Sequence, residues 1–184
     1  MKIYSTADYK TLPWKNGKGF TRELLRLNDS QCEGEFLFRL SQASISQDGP
    51  FSLFPGIDRI LILLKGNGVR LQMNDSSTLL EKPLAPFSFP GEETVKCELI
   101  KGACEDFNIM TKRGWRKIKA DIIGLAPSET YQTATQEQYL YLAAGKVKIS
   151  NQEIQQDGLI HLIHESQKLE ALDKTTIIHI QFED

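Results

Sequence analysis

The sequence contains few of the residues from which metal centres and disulfide frameworks are built. Histidine occurs only at His161, His164 and His179, in the C-terminal part of the chain. Cysteine occurs only at Cys32, Cys97 and Cys104, an odd number without a CxxC spacing. This pattern indicates neither a zinc ribbon nor a disulfide scaffold, and it favours plain thiols in the reduced cytoplasm.

An excess of positive charge and long apolar runs are also missing. Lysine plus arginine number 22 and aspartate plus glutamate number 24, so the net charge is −2. That balance gives no indication of a nucleic-acid partner. No apolar run approaches the roughly 20 residues of a membrane span, and Met1–Ser5 has no apolar signal core. We therefore expect no membrane partner and a cytoplasmic location.

What the sequence does contain is a series of short strand patterns. Ile60–Leu64 is an unbroken apolar run, too short for a helix, which favours a strand buried on both faces. Lys65–Gly68 supplies turn residues. In Val69–Met73, apolar and polar residues then alternate, which predicts a strand with one solvated face. Pro86–Pro90 carries two prolines around an aromatic pair and is expected at a sheet edge or corner.

The same pattern recurs later in the chain. Tyr139–Asn151 repeats the order of apolar run, glycine turn, alternating strand and asparagine turn that Ile60–Asn74 shows. Internal similarity of this kind suggests two units of one design. Many short strands with almost no helical periodicity predict an all-β sandwich or barrel.

Several motifs resemble those of the HutD/Ves family. They are Trp14–Gly17 with Thr21–Glu23, Asp48–Ser52 with Phe54–Arg59, Phe87–Gly91, and Asp106–Met110 with Arg113. The resemblance implies a bicupin, with two jelly-roll-like β-barrels in one chain. Residues 1–113 would form an N-terminal barrel with a ligand pocket, and residues 114–184 a smaller barrel packed on it. HutD members are associated with histidine utilisation and are thought to sense a pathway metabolite, whereas Ves members are linked to stress and cold.

A metal cofactor is not expected. Metal-binding cupins usually offer two histidines one residue apart, a nearby glutamate and a third histidine on a later strand, because imidazole is a good transition-metal ligand. The N-terminal half holds no histidine, and no His-x-His occurs anywhere in the sequence. We expect no metal and no other cofactor, and satisfied or solvated histidines in the C-terminal half.

The residues of the matched motifs favour a binding pocket. Arginine forks match carboxylates in two parallel hydrogen bonds, and a few polar groups among aromatic walls are typical of small-molecule sites. The candidate ligand-binding residues are Arg59, Arg39, Asn16, Asp106, Asn108, Thr21, Ser41, Phe51 and Trp14, with Phe89 as a further wall. Three alternatives stay open: Trp14 as a core side chain, Arg22 as a solvated one, and Asp106 as an ion-pair partner of Arg39 or Arg59.

These features lead to one main hypothesis and two alternatives. The main hypothesis is metal-free binding of a small anionic metabolite by a sensor or modulator. The resemblance implies urocanate or a formyl- or formimino-glutamate as ligand. The first alternative is a metal-independent lyase, isomerase or hydrolase that acts on a small carboxylate. Asp106 would be its general base, since burial raises a carboxyl pKa. The second is a structural or interaction module, for example a homodimer joined through edge strands.

Overall fold

The computed structural model describes residues 1–14, 19–74 and 76–183. Within them, a 3-10 turn at Thr6–Asp8 accompanies nineteen strands. The strands are β1 (Lys2–Tyr4), β2 (Lys10–Pro13), β3 (Gly19–Asn28), β4 (Phe36–Ile45), β5 (Gly49–Pro50), β6 (Ile57–Lys65), β7 (Val69–Met73), β8 (Ser76–Leu80), β9 (Pro86–Pro90), β10 (Val95–Leu99), β11 (Cys104–Lys112), β12 (Lys117–Leu125), β13 (Thr130–Gln132), β14 (Gln138–Ala144), β15 (Lys146–Ile149), β16 (Gln152–Gln155), β17 (Leu159–Leu162), β18 (Lys168–Ala171) and β19 (Thr175–Glu183). The predicted all-β class is confirmed.

The chain divides into two compact units. One is Tyr9–Arg116, and the other combines Met1–Asp8 with Lys117–Asp184. The sequence-based division at residue 113 differs from this one mainly at the N-terminus. There β1 pairs with β17, with Lys2 opposite His161. A pairing across so long a stretch of chain leaves no local pattern in the sequence.

The Tyr9–Arg116 unit is built from two antiparallel sheets. The six-stranded sheet has the order β2-β3-β4-β11-β6-β9, and the four-stranded sheet the order β5-β10-β7-β8. Leu61 and Leu63 of the first sheet and Leu71 and Val95 of the second belong to one buried cluster. As expected, β9 with its two prolines is an edge strand, because a proline has no N–H to give a second neighbour.

The second unit follows the same plan. Its five-stranded sheet has the order β1-β17-β14-β19-β12, and its four-stranded sheet the order β13-β18-β15-β16. Leu140 and Ile160 of the larger sheet share a buried cluster with Val147 and Leu169 of the smaller. In both units, each sheet of described strands has an edge strand at either end and does not close on itself. Among the described strands each unit is thus an open two-sheet sandwich, which agrees with the predicted all-β class, and no closed barrel is found there.

Local patterns explain the centre of the first unit. Leu61, Ile62 and Leu63 are all nearly inaccessible to solvent, as the unbroken apolar run predicts. Gly66, with φ of 105°, adopts a conformation that other residues rarely take and turns the chain into β7. In β7, buried Val69 and Leu71 alternate with exposed polar residues, which confirms the predicted solvated face. In the part of the chain that the structure describes, no helix has the length and apolar character needed to cross a membrane.

Candidate functional site

Three rows of side chains lie on one face of the six-stranded sheet. Residues directly paired on an antiparallel sheet share a face, and successive rows along the strands are about 7 Å apart. The rows, read from the β4, β11 and β6 registers with their neighbours, are Thr21, Ala43, Asp106 and Leu63; then Glu23, Ser41, Asn108 and Leu61; then Arg39, Met110, Arg59 and Phe89. The register therefore brings six of the predicted polar site residues together: Thr21, Ser41, Asn108, Asp106, Arg59 and Arg39.

Eight residues of these rows form one wall of a cavity of about 510 Å³, and the other four, Glu23, Leu61, Leu63 and Phe89, do not line it. Segments before β3 and between β5 and β6 supply the rest of its lining. The lining residues are Leu12, Pro13, Trp14, Thr21, Arg39, Ser41, Ala43, Ile45, Pro50, Phe51, Ser52, Phe54, Arg59, Asp106, Asn108 and Met110. All of them belong to the Tyr9–Arg116 unit. The volume suits a small metabolite.

Arg59 is the buried cation of this cavity, with only 6% of its surface exposed. Its guanidinium carbon lies 4.7 Å from the ring centroid of Phe89, 5.4 Å from that of Phe51 and 5.5 Å from that of Phe54. Aromatic faces attract a cation and replace part of its lost hydration. Burial lowers the pKa of Arg59 to about 10, against the opposing charge of Asp106. The side chain is therefore still charged at neutral pH.

The hydrogen bonds that Arg59 donates to described residues are long. Nε donates to Asn108 Oδ1 over 3.5 Å, and Nη1 donates to the Ser52 carbonyl oxygen over 3.4 Å. Bonds to a charged donor are normally 2.7–2.9 Å long. The fork is thus positioned by weak contacts and keeps donor capacity toward the cavity.

Arg39, by contrast, is held by a carboxylate. Its Nε donates to Glu23 Oε2 over 2.7 Å, and both side chains are 11% exposed. Glu23 was not among the predicted site residues, although it belongs to the matched Thr21–Glu23 motif. Glu23 lies two residues after Thr21 and pairs with Ser41, so alternation along β3 sets it on the same sheet face as Thr21; the register shift follows it, between Glu23 and Leu25. The interpretation of Asp106 as the partner of Arg39 is therefore replaced by a Glu23–Arg39 pair.

Asp106 is the buried anion of the cavity, with 4% of its surface exposed. Its Oδ1 has no hydrogen-bond partner among the described residues. Burial raises the pKa of Asp106 to about 7, although the charge of Arg59 opposes that rise. A buried carboxylate oxygen without a partner is uncommon and needs an explanation.

Trp14 and Phe51 serve both the cavity and the core. Both line the cavity, and both pack against the buried cluster between the two sheets. The Trp14 indole Nε1 donates to Thr21 Oγ1 over 2.8 Å, which ties the segment before β3 to the sheet. The two interpretations of Trp14 that the sequence left open are thus compatible.

The site also depends on Phe54 and Gly91, which belong to the matched motifs but were not predicted as ligand-binding residues. The Phe54 N–H donates to the Gly91 carbonyl over 2.8 Å, and the Gly91 N–H donates to the Ile57 carbonyl over 2.6 Å. A Cβ on Gly91 would lie 2.7 Å from that Ile57 oxygen. Gly91 is therefore needed to seat the Phe54 ring near Arg59. Asn16, a predicted ligand contact, lies outside the described residues.

The group of three potential metal ligands found among the described residues lies outside the cavity lining, and its two carboxylates are engaged by a lysine. Asp29, Cys32 and Glu35 form one mostly exposed group, but Lys112 Nζ lies 2.8 Å from Asp29 and 2.7 Å from Glu35. In the other unit, His179 Nε2 lies 2.8 Å from Gln138 Oε1, and its Nδ1 lies 3.1 Å from the Tyr131 hydroxyl. Gln138 Nε2 donates to two carbonyl oxygens, so its Oε1 accepts from His179.

Comparison with known proteins places this sandwich pair in context. The HutD family model matches residues 6–179. An uncharacterised 21.2 kDa protein in the hutC 3′ region of Pseudomonas putida is 31% identical over 183 residues, covering 98% of this chain and 93% of that protein. Protein Ves of Escherichia fergusonii is 40% identical over 119 residues, covering 62% of this chain and 61% of that protein.

Two solved structures extend the comparison. HutD from Pseudomonas fluorescens SBW25 superposes with a TM-score of 0.78 at 26% identity, over 100% of this chain and 99% of that chain. An oxalate decarboxylase from Lactobacillus farciminis gives a TM-score of 0.69 at 9% identity, over 100% of this chain and 86% of that chain. The second likeness shows the cupin-like fold alone.

Proposed function

This chain belongs to the HutD family, and on that premise we propose that its cavity binds a small anionic metabolite without a metal. The protein would act in the cytoplasm as a sensor or modulator of histidine utilisation. The observation that carries the proposal is Arg59: a buried, charged guanidinium that three phenylalanine rings surround and that only long hydrogen bonds to described residues engage.

The chemistry of the lining supports an anion. A planar guanidinium presents two parallel N–H donors to a carboxylate. Arg39 adds no net positive charge, because Glu23 neutralises it. Thr21, Ser41 and Asn108 offer further polar groups on the same sheet face.

The donor set does not suit a transition metal. Among the described residues that line the cavity there is no histidine or cysteine, and Asp106 is the one carboxylate. Stable sites for such metals usually combine three or four imidazole, thiolate or carboxylate ligands. We therefore expect Arg59 and the aromatic walls to supply most of the binding energy for the ligand.

A thermal-shift screen tests this function. The compounds are urocanate, N-formylglutamate, formiminoglutamate and acetate, with Zn²⁺, Mn²⁺ and Ni²⁺ tested alone. A ligand that prefers the folded state raises the melting temperature. We expect at least one carboxylate to raise it in a concentration-dependent way in the unsubstituted protein and not in Arg59→Lys. A large shift with a metal alone, or no shift with any carboxylate, would overturn the proposal.

A second function has a specific observation in its favour. Asp106 is a buried carboxylate that faces the cavity with a pKa near neutrality, which suits a general base. A metal-independent lyase, isomerase or hydrolase would use it to take a proton from a small carboxylate. Incubation with urocanate and N-formylglutamate, followed by chromatography, separates the two functions. Product formation that Asp106→Asn abolishes would favour the enzyme, whereas binding without turnover favours the sensor.

A further inference from the structure

Asp106 gives information about the ligand that Arg59 alone does not. The side chain lines the cavity, is only 4% exposed, and leaves Oδ1 without a partner in the described residues. Buried acceptors in native proteins are nearly always satisfied, because an unmade hydrogen bond leaves the desolvation penalty uncompensated. The missing donor is therefore to be sought in the molecule that fills the cavity.

The register of the sheet determines the spacing between the Arg59 guanidinium and the Asp106 carboxylate, and hence between the two ligand groups that would contact them. Arg59 starts in the row of Met110, and its Nε reaches the Asn108 amide in the next row. Asp106 lies one row further along β11 on the same face. Rows are about 7 Å apart. One small molecule can therefore contact the guanidinium at one end and the Asp106 carboxylate at the other.

The charges around the cavity indicate what the second contact must be. Arg39 on β4 and Glu23 on β3 neutralise each other, and the Cys97 thiol of the facing sheet stays protonated because burial raises its pKa to about 12. Among the described residues that line the cavity, Arg59 and Asp106 are the remaining charges. When a ligand carboxylate takes the guanidinium, Asp106 loses its counter-charge and needs a donor from the same ligand.

We propose that the ligand is a carboxylate that also carries an N–H group, and that Asp106 accepts this N–H while Arg59 holds the carboxylate. The inference rests on the proposed anion-binding function and specifies the class of molecule. An amide, amidine, imidazole or amine nitrogen would satisfy Asp106 Oδ1, whereas an ester or ether oxygen at the same place would face it with a lone pair. Asp106 is thus the group that discriminates between ligands.

Matched pairs of probes test the inference. Acetamido carboxylates with two, three and four carbons in the acid are compared with acetoxy esters of the same length, which differ only by oxygen in place of N–H. Dissociation constants are measured by calorimetry at pH 8.5 for the unsubstituted protein, Asp106→Leu and Arg59→Lys. Glu105→Gln is the matched control, because Glu105 is the next residue on β11 and instead pairs with Lys65 at the surface.

We expect one amide of the series to bind about tenfold or more tightly than its ester, in the unsubstituted protein and in Glu105→Gln, and at similar strength to its ester in Asp106→Leu. In the unsubstituted protein the preference should also shrink at pH 5.5, where Asp106 takes up a proton, so the test does not depend on the variant folding.

The other outcomes separate this inference from the function beneath it. Equal binding of amide and ester, with both weakened by Arg59→Lys, would overturn the N–H requirement and leave anion binding in place. A preference that persists in Asp106→Leu would overturn the role of Asp106. No binding of any probe, or binding that Arg59→Lys leaves unchanged, would overturn the proposed function and this inference with it.

Discussion

Arg59 and Asp106 face one cavity from neighbouring antiparallel strands, one held among three phenylalanine rings and the other with a carboxylate oxygen that no described residue engages. The two opposite charges stabilise each other electrostatically. They do not form a close ion pair, which would occupy the hydrogen-bonding atoms of both side chains. Such an arrangement leaves hydrogen-bonding capacity that a ligand can take up.

The stability of the protein should depend on the ionisation of Asp106. Its folded-state pKa of about 7 lies above the value in an unfolded chain, so the folded protein binds the proton more tightly and loses stability as the pH rises from about 4 to about 7. Asp106→Asn removes this titration. Urea denaturation should show the variant gaining on the order of 2 kcal/mol relative to the unsubstituted protein between pH 5 and pH 8. Parallel pH dependences for the two proteins would contradict the buried, unpaired carboxylate.

His179 should show the opposite dependence in the second unit. Burial lowers its pKa, and its contribution to stability is present above the unfolded-state pKa and lost as the pH falls through the folded-state value. The bond to Gln138 fixes the proton on Nε2. NMR titration of the imidazole should give a midpoint below 6.5 and the Nε2–H tautomer throughout the neutral range. A midpoint above that value, or an Nδ1–H tautomer, would contradict the network.

The bond from Trp14 to Thr21 should be measurable as a coupling energy. Trp14→Phe and Thr21→Val each remove one partner of a 2.8 Å hydrogen bond. Each change should destabilise the protein by about 1 kcal/mol, and the double variant should be less destabilised than the sum of the two, by roughly 0.5–1.5 kcal/mol. Chemical denaturation of the four proteins completes the cycle. Strict additivity would mean that the two side chains do not interact in solution.

Gly91 should be intolerant of even a methyl group. Gly91→Ala sets a Cβ 2.7 Å from the Ile57 carbonyl, so the segment with Phe54 must shift away from Arg59. We expect a loss of about 1–3 kcal/mol in stability and weaker carboxylate binding. Gly49→Ala is the matched control, because a Cβ added at Gly49 would meet no atom within 4 Å. Equal effects of the two changes on unfolding and on binding would contradict the role of Gly91.

Much of the fold follows from local patterns. The apolar run at Ile60–Leu64, the glycine turn after it and the prolines of Pro86–Pro90 each act through the backbone and side chains of a few neighbouring residues, and the structure confirms all three. The pairing of β1 with β17 was not predictable, because it depends on contacts between distant parts of the chain. Closure into barrels was also not decided by local periodicity.

The site shows the same division. Alternation along β11 sets Asp106 and Asn108 on one face, and the sequence predicts this directly. Alternation also sets Glu23 on the face of Thr21, but its contact with Arg39 joins adjacent rows of two neighbouring strands, and which side chains meet there depends on the pairing register, which the sequence does not reveal. From the sequence Phe54 was recognisable only as part of a matched motif, and its contact with Arg59 needs the turn that Gly91 holds.

The central claim is that the Arg59 guanidinium holds the carboxylate of a small metabolite. Its most direct measurement is a calorimetric titration of the carboxylate that shifts the melting temperature most, against the unsubstituted protein, Arg59→Lys and the exposed-site control Arg70→Lys. Loss of the bidentate fork should weaken binding about tenfold or more in Arg59→Lys, with Arg70→Lys unchanged. Equal affinities for all three folded proteins would contradict the account.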